Sequence, residues 1–287
     1  MEYWAWRALT LAATRLPLGA LYRVAGLAGS AAYSCWPGGR RRIRRNFARV
    51  LQDPGQVGPT ARRSLQNYCR YLVDFARLGS QPAGEITALC DGDEVFSQLD
   101  AVLARGRGAV LVCMHFGNWD LGAAAGAAHG YRMAAVGERF SDGRVTAEVF
   151  GARERLGIRI LPLDRPGPSL LRTLKQNGLL ALLIDRSVPG KGVTVRFFGE
   201  EVEVPAGPAQ LALRTGAALV PIAAARTRRQ AAHVRLIADF SIDAAPTGDP
   251  AADVQRLTQA VMGAHEAFIR RYPEQWYKFG DMWASDR

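Results

Sequence analysis

Short apolar runs alternate with helical patterns from residue 109 onward, and this alternation constrains the fold more than any other feature. The runs are apolar at consecutive positions, which is typical of strands buried on both faces of a sheet. We predict strands over residues 109–115, 132–137, 158–162, 179–185, 193–198, 217–224 and 232–240. We predict helices over residues 118–129, 143–156, 167–176, 205–215 and 250–271. The chain is therefore expected to be an α/β protein with a central mixed, largely parallel sheet flanked by helices.

The N-terminal part has a different pattern. Residues 1–36 are rich in Trp, Leu, Ala and Tyr, with arginines at helical spacings, and residues 61–79 have a helical apolar stripe after a turn-rich loop over 51–60. The first segment is too interrupted by charge to span a bilayer comfortably, and it lacks the pattern of a signal peptide. It fits amphipathic helices that lie in the membrane interface, or helices that only pack on the domain. We expect residues 1–80 to be a helical, membrane-associating segment and residues 81–287 to be the α/β domain.

The charge of the chain indicates an anionic partner. Lys and Arg number 37 against 26 Asp and Glu, a formal charge of +11, which suits nucleic acid, phospholipid headgroups or a phosphorylated substrate. Six arginines fall in Arg40–Arg49, directly after the aromatic-rich segment. That order favours an anionic membrane surface over an ordinary solvated helix face. Nucleic acid is not expected, because the sequence has no helix-turn-helix, zinc-finger or RNP-like pattern.

His115 and Asp120 are the first candidates for catalysis. His115 ends the strand predicted over 109–115, and Asp120 falls in the first turn of the next helix. The carboxyl ends of strands are where α/β sheets bind ligands, and a carboxylate beside an imidazole can orient it as a general base. A lone histidine is more often structural, so the spacing alone leaves that alternative open. The four cysteines are scattered, and no metal site is expected.

Two more predicted strands end in charged pairs, Glu138-Arg139 and Asp185-Arg186. Surface ion pairs explain such dipeptides about as well as a site does. A basic loop over residues 187–192 follows the second pair and suits a phosphate or an acidic carrier, although it lacks P-loop spacing. The sequence contains no G-x-S-x-G nucleophile elbow and no G-x-G-x-x-G dinucleotide fingerprint after a strand.

Taken together, these motifs resemble those of the lysophospholipid-acyltransferase superfamily, in the branch of the lipid A biosynthesis (lauroyl/myristoyl) and phosphatidylinositol mannoside acyltransferases. The resemblance runs through nearly the whole chain and is carried by short segments in a fixed order. These are 44–50, 71–74, His115-Phe-Gly-Asn-Trp-Asp120, 138–139, 185–186, 197–199, 205–209 and 273–276. One departure is the sequence after the Arg-Asn segment, Val50-Leu-Gln-Asp-Pro54 in place of a Phe-Pro-Glu type, which leans toward the mannoside branch.

The resemblance implies an O-acyltransferase. It implies transfer of a fatty acyl group from acyl-CoA or acyl carrier protein to a hydroxyl of a membrane glycolipid or lysophospholipid, without an acyl-enzyme, a metal or another cofactor. His115 would be the base and Asp120 its orienter. The expected substrate-binding residues are Asn118, Glu138, Arg139, Arg153, Asp185, Arg186 and Glu200. We expect a peripheral or monotopic protein at the cytoplasmic face of the plasma (inner) membrane. The alternatives are a non-catalytic basic protein that binds membrane or nucleic acid, and an acyl-thioester hydrolase.

Overall fold

The computed structural model describes residues 2–164, 167–186, 192–228 and 231–283. The helices in these ranges are α1 Glu2–Arg15, α2 Leu18–Cys35, α3 Pro37–Val50, α4 Pro54–Leu78, α5 Ala83–Ala88, α6 Asp93–Leu103, α7 Trp119–Ala128, α8 Gly143–Arg155, α9 Gly167–Lys175, α10 Gly207–Thr215 and α11 Pro250–Arg271. The strands are β1 Cys90–Asp91, β2 Ala109–Cys113, β3 Met133–Gly137, β4 Ile158–Pro162, β5 Leu179–Leu183, β6 Gly192–Phe197, β7 Glu200–Pro205, β8 Ala218–Arg226 and β9 Val234–Ala238. A short 3-10 turn, Pro273–Gln275, follows α11.

Seven strands form one sheet in the order β1-β9-β8-β2-β5-β3-β4. The pairs β8–β2, β2–β5, β5–β3 and β3–β4 are parallel, β8–β9 is antiparallel, and β1–β9 is parallel. The mixed, largely parallel sheet flanked by helices is thereby confirmed. Strand β2 lies inside the parallel part, between β8 and β5. Its carboxyl end is consequently surrounded by the ends of its neighbours.

Helices cover both faces of the sheet, and the side chains of β2 alternate between the two layers. Val110 and Val112 pack in the core that also holds α3, α4, α10 and α11, whereas Ala109 and Leu111 pack in the core built with α5, α6 and α7. This two-sided burial explains why β2 is apolar at every position. Because side chains alternate along a strand, the odd-numbered residues after β2 continue toward the α7 side.

The N-terminal helices pack against the rest of the molecule. Ile43 and Phe47 of α3 and Leu65 of α4 belong to the same hydrophobic core as the sheet. In the described residues, no helix is long and apolar enough to cross a membrane. Several large apolar side chains of α1 and α2 nevertheless face solvent.

Three local predictions differ from the structure. The loop expected over 51–60 is helical from Pro54, since Asp53 caps α4 through its side chain and proline is favoured in the first turn. Strand β7 was not predicted; it forms an antiparallel hairpin with β6 apart from the main sheet. Strand β1 was not predicted either, because two residues give no periodic signal. The basic loop predicted over 187–192 lies, for residues 187–191, outside the described residues.

Candidate active site

His115 lies two residues beyond the end of β2, and Asp185 lies two residues beyond the end of β5. The two strands are parallel neighbours, with Cys113 paired to Leu183. Continuing that register by two residues on each strand brings positions 115 and 185 opposite each other on the same face of the sheet. The strand pairing therefore places the imidazole and the carboxylate together.

Asp185 contacts His115 through both of its carboxylate oxygens. The distance from His115 Nδ1 to Asp185 Oδ1 is 2.8 Å, and the backbone N–H of His115 donates to Oδ2 at 3.0 Å. Burial by itself raises the pKa of the Asp185 carboxyl group. The charge of His115, the hydrogen bonds that His115 donates and the charge of Lys278 act in the opposite direction and lower this pKa to about 2. The carboxylate is thus an acceptor, so Nδ1 carries the proton and Nε2 has the free lone pair. The His115 side chain is 22% exposed, whereas that of Asp185 is fully buried.

Asp120 occupies a different place from the one expected. Its carboxylate receives two hydrogen bonds from the Arg153 guanidinium, at 2.7 and 3.1 Å, and one from the Tyr71 hydroxyl at 2.6 Å. The expected direct pairing of Asp120 with the imidazole is therefore corrected, and Asp185 has that position. The reason is topological. The first turn of α7 directs Asp120 toward Tyr71 of α4 and Arg153 of α8. Strand β5 runs beside β2 and so brings Asp185 to His115.

The segment after His115 is held by backbone hydrogen bonds from two directions. Gly117 N–H donates to Gln275 O at 2.9 Å, and Asn118 N–H donates to Ala224 O at 2.9 Å. The carbonyl of His115 accepts from Tyr277 N–H at 2.7 Å. Gly117 has φ +61°, and a Cβ there would lie 2.0 Å from Ala224 O, so the position requires glycine. We call residues 115–118 the catalytic turn.

Asn118 is buried and ends the catalytic turn. Its side-chain oxygen accepts from Leu121 N–H at 3.1 Å, which caps the amino end of α7. Its amide donates to Asp74 Oδ2 at 3.1 Å. Asn118 was predicted to bind substrate. In the structure, both the oxygen and the nitrogen of its amide hold the turn.

Aromatic rings border the imidazole. The Trp119 ring lies 5.5 Å from the His115 ring in an edge-to-face arrangement, and Tyr71 packs on Trp119 at 4.1 Å. Tyr277 lies beside both aromatic rings, at 6.1 and 6.3 Å. These contacts keep one side of the site apolar while Asp185 supplies charge from the other.

The remaining predicted site residues separate into two groups. Glu138 and Arg186 form an ion pair between the ends of β3 and β5, with both side chains more than half exposed. Arg186 directly follows Asp185, so this pair borders the site. Arg139 turns away to Asp164 at 3.3 Å. Glu200 pairs with Arg49 of α3 at 2.8 Å.

Lys278 and the partners of Asn118 were not singled out from the sequence. Lys278 Nζ donates to the backbone oxygen of Asp185 at 2.7 Å, which places a cation beside the carboxylate. Asp74 and Arg226 form a buried ion pair behind Asn118. One signal could have found this pair: Asp74 interrupts the apolar pattern of a helix, and Arg226 ends a strand that is otherwise apolar.

The arrangement can remove a proton from a hydroxyl group. An ionised, buried carboxylate fixes the imidazole as the Nδ1–H tautomer and stabilises the imidazolium that forms when Nε2 takes a proton. Among the residues that the structure describes, the side-chain hydrogen bond of His115 is the one that joins Nδ1 to Asp185. A hydroxyl of a bound substrate could therefore reach Nε2.

Known proteins match this chain over most of its length. A family model described as bacterial lipid A biosynthesis acyltransferase matches residues 1–285. A phosphatidylinositol mannoside acyltransferase of Mycolicibacterium smegmatis (strain ATCC 700084 / mc(2)155) is 34% identical over 273 residues, covering 91% of this chain and 85% of that protein. A protein with the same description from Mycobacterium tuberculosis (strain CDC 1551 / Oshkosh) is 33% identical over 295 residues, covering 99% of this chain and 89% of that protein.

Proposed function

Since the chain belongs to the bacterial lipid A biosynthesis acyltransferase family, we propose that it transfers a fatty acyl chain from an acyl thioester to a hydroxyl of a membrane glycolipid, with His115 as the general base. The chain is an acyltransferase of the lipid A and phosphatidylinositol mannoside type. The proposed role of His115 is supported above all by the two hydrogen bonds that Asp185 accepts from it.

The reaction needs one proton acceptor and one oxyanion site. Nε2 of His115 takes the proton of the acceptor hydroxyl as its oxygen attacks the carbonyl carbon of the thioester. The tetrahedral intermediate then collapses, the C–S bond breaks, and the imidazolium returns the proton to the leaving thiolate. Asp185 stabilises the imidazolium in between. Preorganised N–H groups or a cation would stabilise the oxyanion.

Asp120 has a supporting role in this scheme. Through Tyr71 and Arg153 it fixes the first turn of α7 to α4 and α8, and Trp119 in that turn contacts the imidazole. Glu138 and Arg186 border the site as substrate-binding candidates. Arg139 and Glu200 are assigned no direct contact with the reacting groups in this proposal.

The acceptor that we favour is a phosphatidylinositol mannoside. Both relatives described above are phosphatidylinositol mannoside acyltransferases, and this chain aligns with most of the length of each. A lipid A-type acceptor and a lysophospholipid are the competing acceptors. The donor would be acyl-CoA or acyl carrier protein, and the net positive charge of the chain suits the phosphates of the first and the acidic surface of the second.

A membrane surface would supply the acceptor. Large apolar side chains are exposed on α1 and α2 and at the residues that directly follow each of these helices. Six of them define what we call the N-terminal apolar surface: Trp4, Leu11, Leu16, Val24, Leu27 and Trp36. Exposed apolar groups of this kind mark interaction sites. The arginines of α3 follow directly and can bind anionic headgroups. We infer peripheral binding to the cytoplasmic face of the inner membrane.

Mass spectrometry of reaction products tests the proposal. The purified protein is incubated with vesicles that carry one acceptor class at a time, and with a long-chain acyl-CoA or acyl-loaded carrier protein. We expect one new O-acylated glycolipid, formed by the wild type and lost in His115→Gln. His129→Gln is the matched control, because His129 is an exposed histidine at the end of α7.

Two outcomes would contradict the proposal. If no lipid product depends on His115 with either donor, the assignment of the base is wrong. If free fatty acid is released equally with and without an acceptor, the protein is a thioester hydrolase.

A further inference from the structure

Four polar side chains form a buried cluster behind the catalytic turn. Tyr22 of α2, Asp74 of α4, Arg226 of β8 and Asn118 are 3%, 3%, 7% and 1% exposed. We call these four residues the Asp74 cluster. They come from four different elements, so the cluster joins the N-terminal helices to the sheet and to the turn.

The Asp74 carboxylate is the centre of the cluster. It accepts hydrogen bonds from the Tyr22 hydroxyl, the Arg226 guanidinium and the Asn118 amide, the last at 3.1 Å. Arg226 Nη1 also donates to the Tyr22 oxygen at 3.0 Å. Burial raises the pKa of Asp74, and its three donors act against that rise.

A buried ion pair is weak support for folding stability, because removing two charges from water costs as much as their attraction returns. Apolar side chains of the same volume would fill the space at a lower cost in desolvation free energy. The cluster is therefore better explained by the geometry that it fixes than by its stability.

The geometry fixed by the cluster is that of the catalytic turn. Asp74 holds the amide of Asn118, whose oxygen caps α7. Arg226 acts through its backbone as well, since both its N–H and its carbonyl are hydrogen-bonded to the Gln275 side chain, at 2.7 and 2.9 Å. The carbonyl of Gln275 in turn accepts from Gly117 N–H. Two routes thus run from the cluster to residues on either side of the Gly117–Asn118 bond.

We propose that Tyr22, Asp74 and Arg226 are positioning residues for the acyl transfer reaction, which hold the catalytic turn in register with Asp185 and tie it to helix α2. The inference rests on the proposed role of His115. In this inference, the Tyr22 hydroxyl of helix α2 sets the orientation of the His115 imidazole without touching substrate. The opposite side of α2 carries exposed Val24 and Leu27, so the same helix belongs to the N-terminal apolar surface.

Tyr22→Phe is the mildest test, because it removes only the hydroxyl. We expect kcat to fall about tenfold while KM for the donor stays within about twofold, since a slightly misplaced base slows the chemical step more than binding. Tyr131→Phe is the matched control: its hydroxyl donates to Asp100 at 2.8 Å, a tyrosine–aspartate bond remote from the turn. This control should keep wild-type kcat.

A swap of amide and carboxylate tests the pairing itself. Asn118→Asp keeps an acceptor for the α7 cap but sets two carboxylates against each other, and Asp74→Asn removes the charge that faces Arg226. We expect each single variant to lose at least about tenfold in kcat, and the double variant Asp74→Asn/Asn118→Asp to regain about fivefold because one amide again faces one carboxylate. A purely structural role would lower thermal stability without this recovery of kcat in folded enzyme.

A measurement without substrate separates this inference from the proposed function. In protein with 13C-labelled histidine rings, the His115 signal is identified by its loss in His115→Gln. We expect the signal to shift in Tyr22→Phe and to stay in place in Tyr131→Phe. If the wild type makes no lipid product, the proposed function fails while this signal still tests the positioning. An unmoved His115 signal in folded Tyr22→Phe would overturn the inference, as would wild-type kcat in that variant.

Discussion

His115 depends on Asp185 for the tautomer of its ring. The carboxylate accepts from Nδ1, which leaves Nε2 with the lone pair, and it also accepts from the backbone N–H of the same residue. A residue held both at its ring and at its backbone has little rotational freedom to lose in the transition state. In the proposed reaction, this arrangement suits His115 to act as the general base.

Replacing the two candidate orienters should give different results. We expect Asp185→Asn to lower kcat by roughly 100-fold or more, because a neutral amide does not stabilise the imidazolium. Asp120→Asn should mainly lower stability, since it leaves the partly buried Arg153 guanidinium beside a neutral group. Steady-state kinetics and thermal unfolding of both variants measure the difference.

Asp164→Asn is the control for that pair, because Asp164 forms an exposed ion pair with Arg139. Loss of kcat in Asp120→Asn that exceeds the loss in Asp185→Asn, at equal stability, would return the orienter role to Asp120.

At the scale of elements, the turn between β2 and α7 is the most constrained segment of the site. The left-handed φ of Gly117 lets the backbone pass against Ala224 of β8, and Asn118 then starts α7 as its cap. The turn therefore depends on a strand more than one hundred residues further along the chain. Sequence patterns identify the glycine and the cap, but they do not show which backbone the glycine contacts.

Gly117→Ala should disrupt this turn. A methyl group there meets Ala224 O, and the conformation is strained for alanine as well, so we expect a loss of more than about 3 kcal/mol of stability. Gly106→Ala is the matched control, because Gly106 has φ +73° with nothing within 4 Å of its Cβ position. That variant should lose only about 1 to 2 kcal/mol. The free energy of unfolding of both variants is measured in urea. Equal losses in Gly117→Ala and Gly106→Ala would show that the close approach to Ala224 adds nothing to the cost of the substitution.

At the scale of the whole molecule, one buried histidine links folding to pH. His265 of α11 is 1% exposed, and its Nε2 lies 3.1 Å from Val112 O in β2. Burial lowers its pKa to about 4, against the opposing effects of Asp185 and the Val112 carbonyl. Between about pH 6.5 and pH 4 the unfolded chain therefore binds a proton that the folded protein does not.

Stability should consequently fall as the pH is lowered through that window. The contribution of His265 is about 3 kcal/mol between pH 7 and pH 4. In His265→Gln, whose amide can still donate to Val112 O, this part of the slope should disappear; in His129→Gln, at an exposed position, it should remain. Urea unfolding at pH 7, 5.5 and 4.5 gives the slopes, and an unchanged slope in His265→Gln would exclude this residue as the cause.

Binding to vesicles is the second property of the whole molecule. Val24 and Leu27 of α2 are 63% and 71% exposed, so Val24→Ser/Leu27→Ser should leave folding unchanged. We expect binding to anionic vesicles to weaken by roughly tenfold or more, since two apolar side chains would no longer enter the interface. Flotation with anionic and neutral vesicles measures this effect. Unchanged flotation would show that α2 does not face the bilayer.

The amino-acid sequence by itself determined the class of fold and the location of the candidate base. Apolar periodicity and caps are local, so the strands of the sheet except for β1, the helices from α7 to α11, and the position of His115 after a buried strand could be read from neighbouring residues. The hairpin strand β7 and the start of α4 were missed where local signals conflicted, as at Glu200–Pro205 and Pro54.

Only the tertiary structure decided which side chains meet. Strand order places β5 beside β2, so Asp185 contacts His115 across seventy residues of sequence, while Asp120, close in sequence, turns to Tyr71 and Arg153. Likewise, Asp74 and Arg226 form one ion pair only because α4 and β8 pack together behind the turn. Local patterns set the elements, whereas partners across elements follow from packing and register, which single-sequence periodicity does not contain.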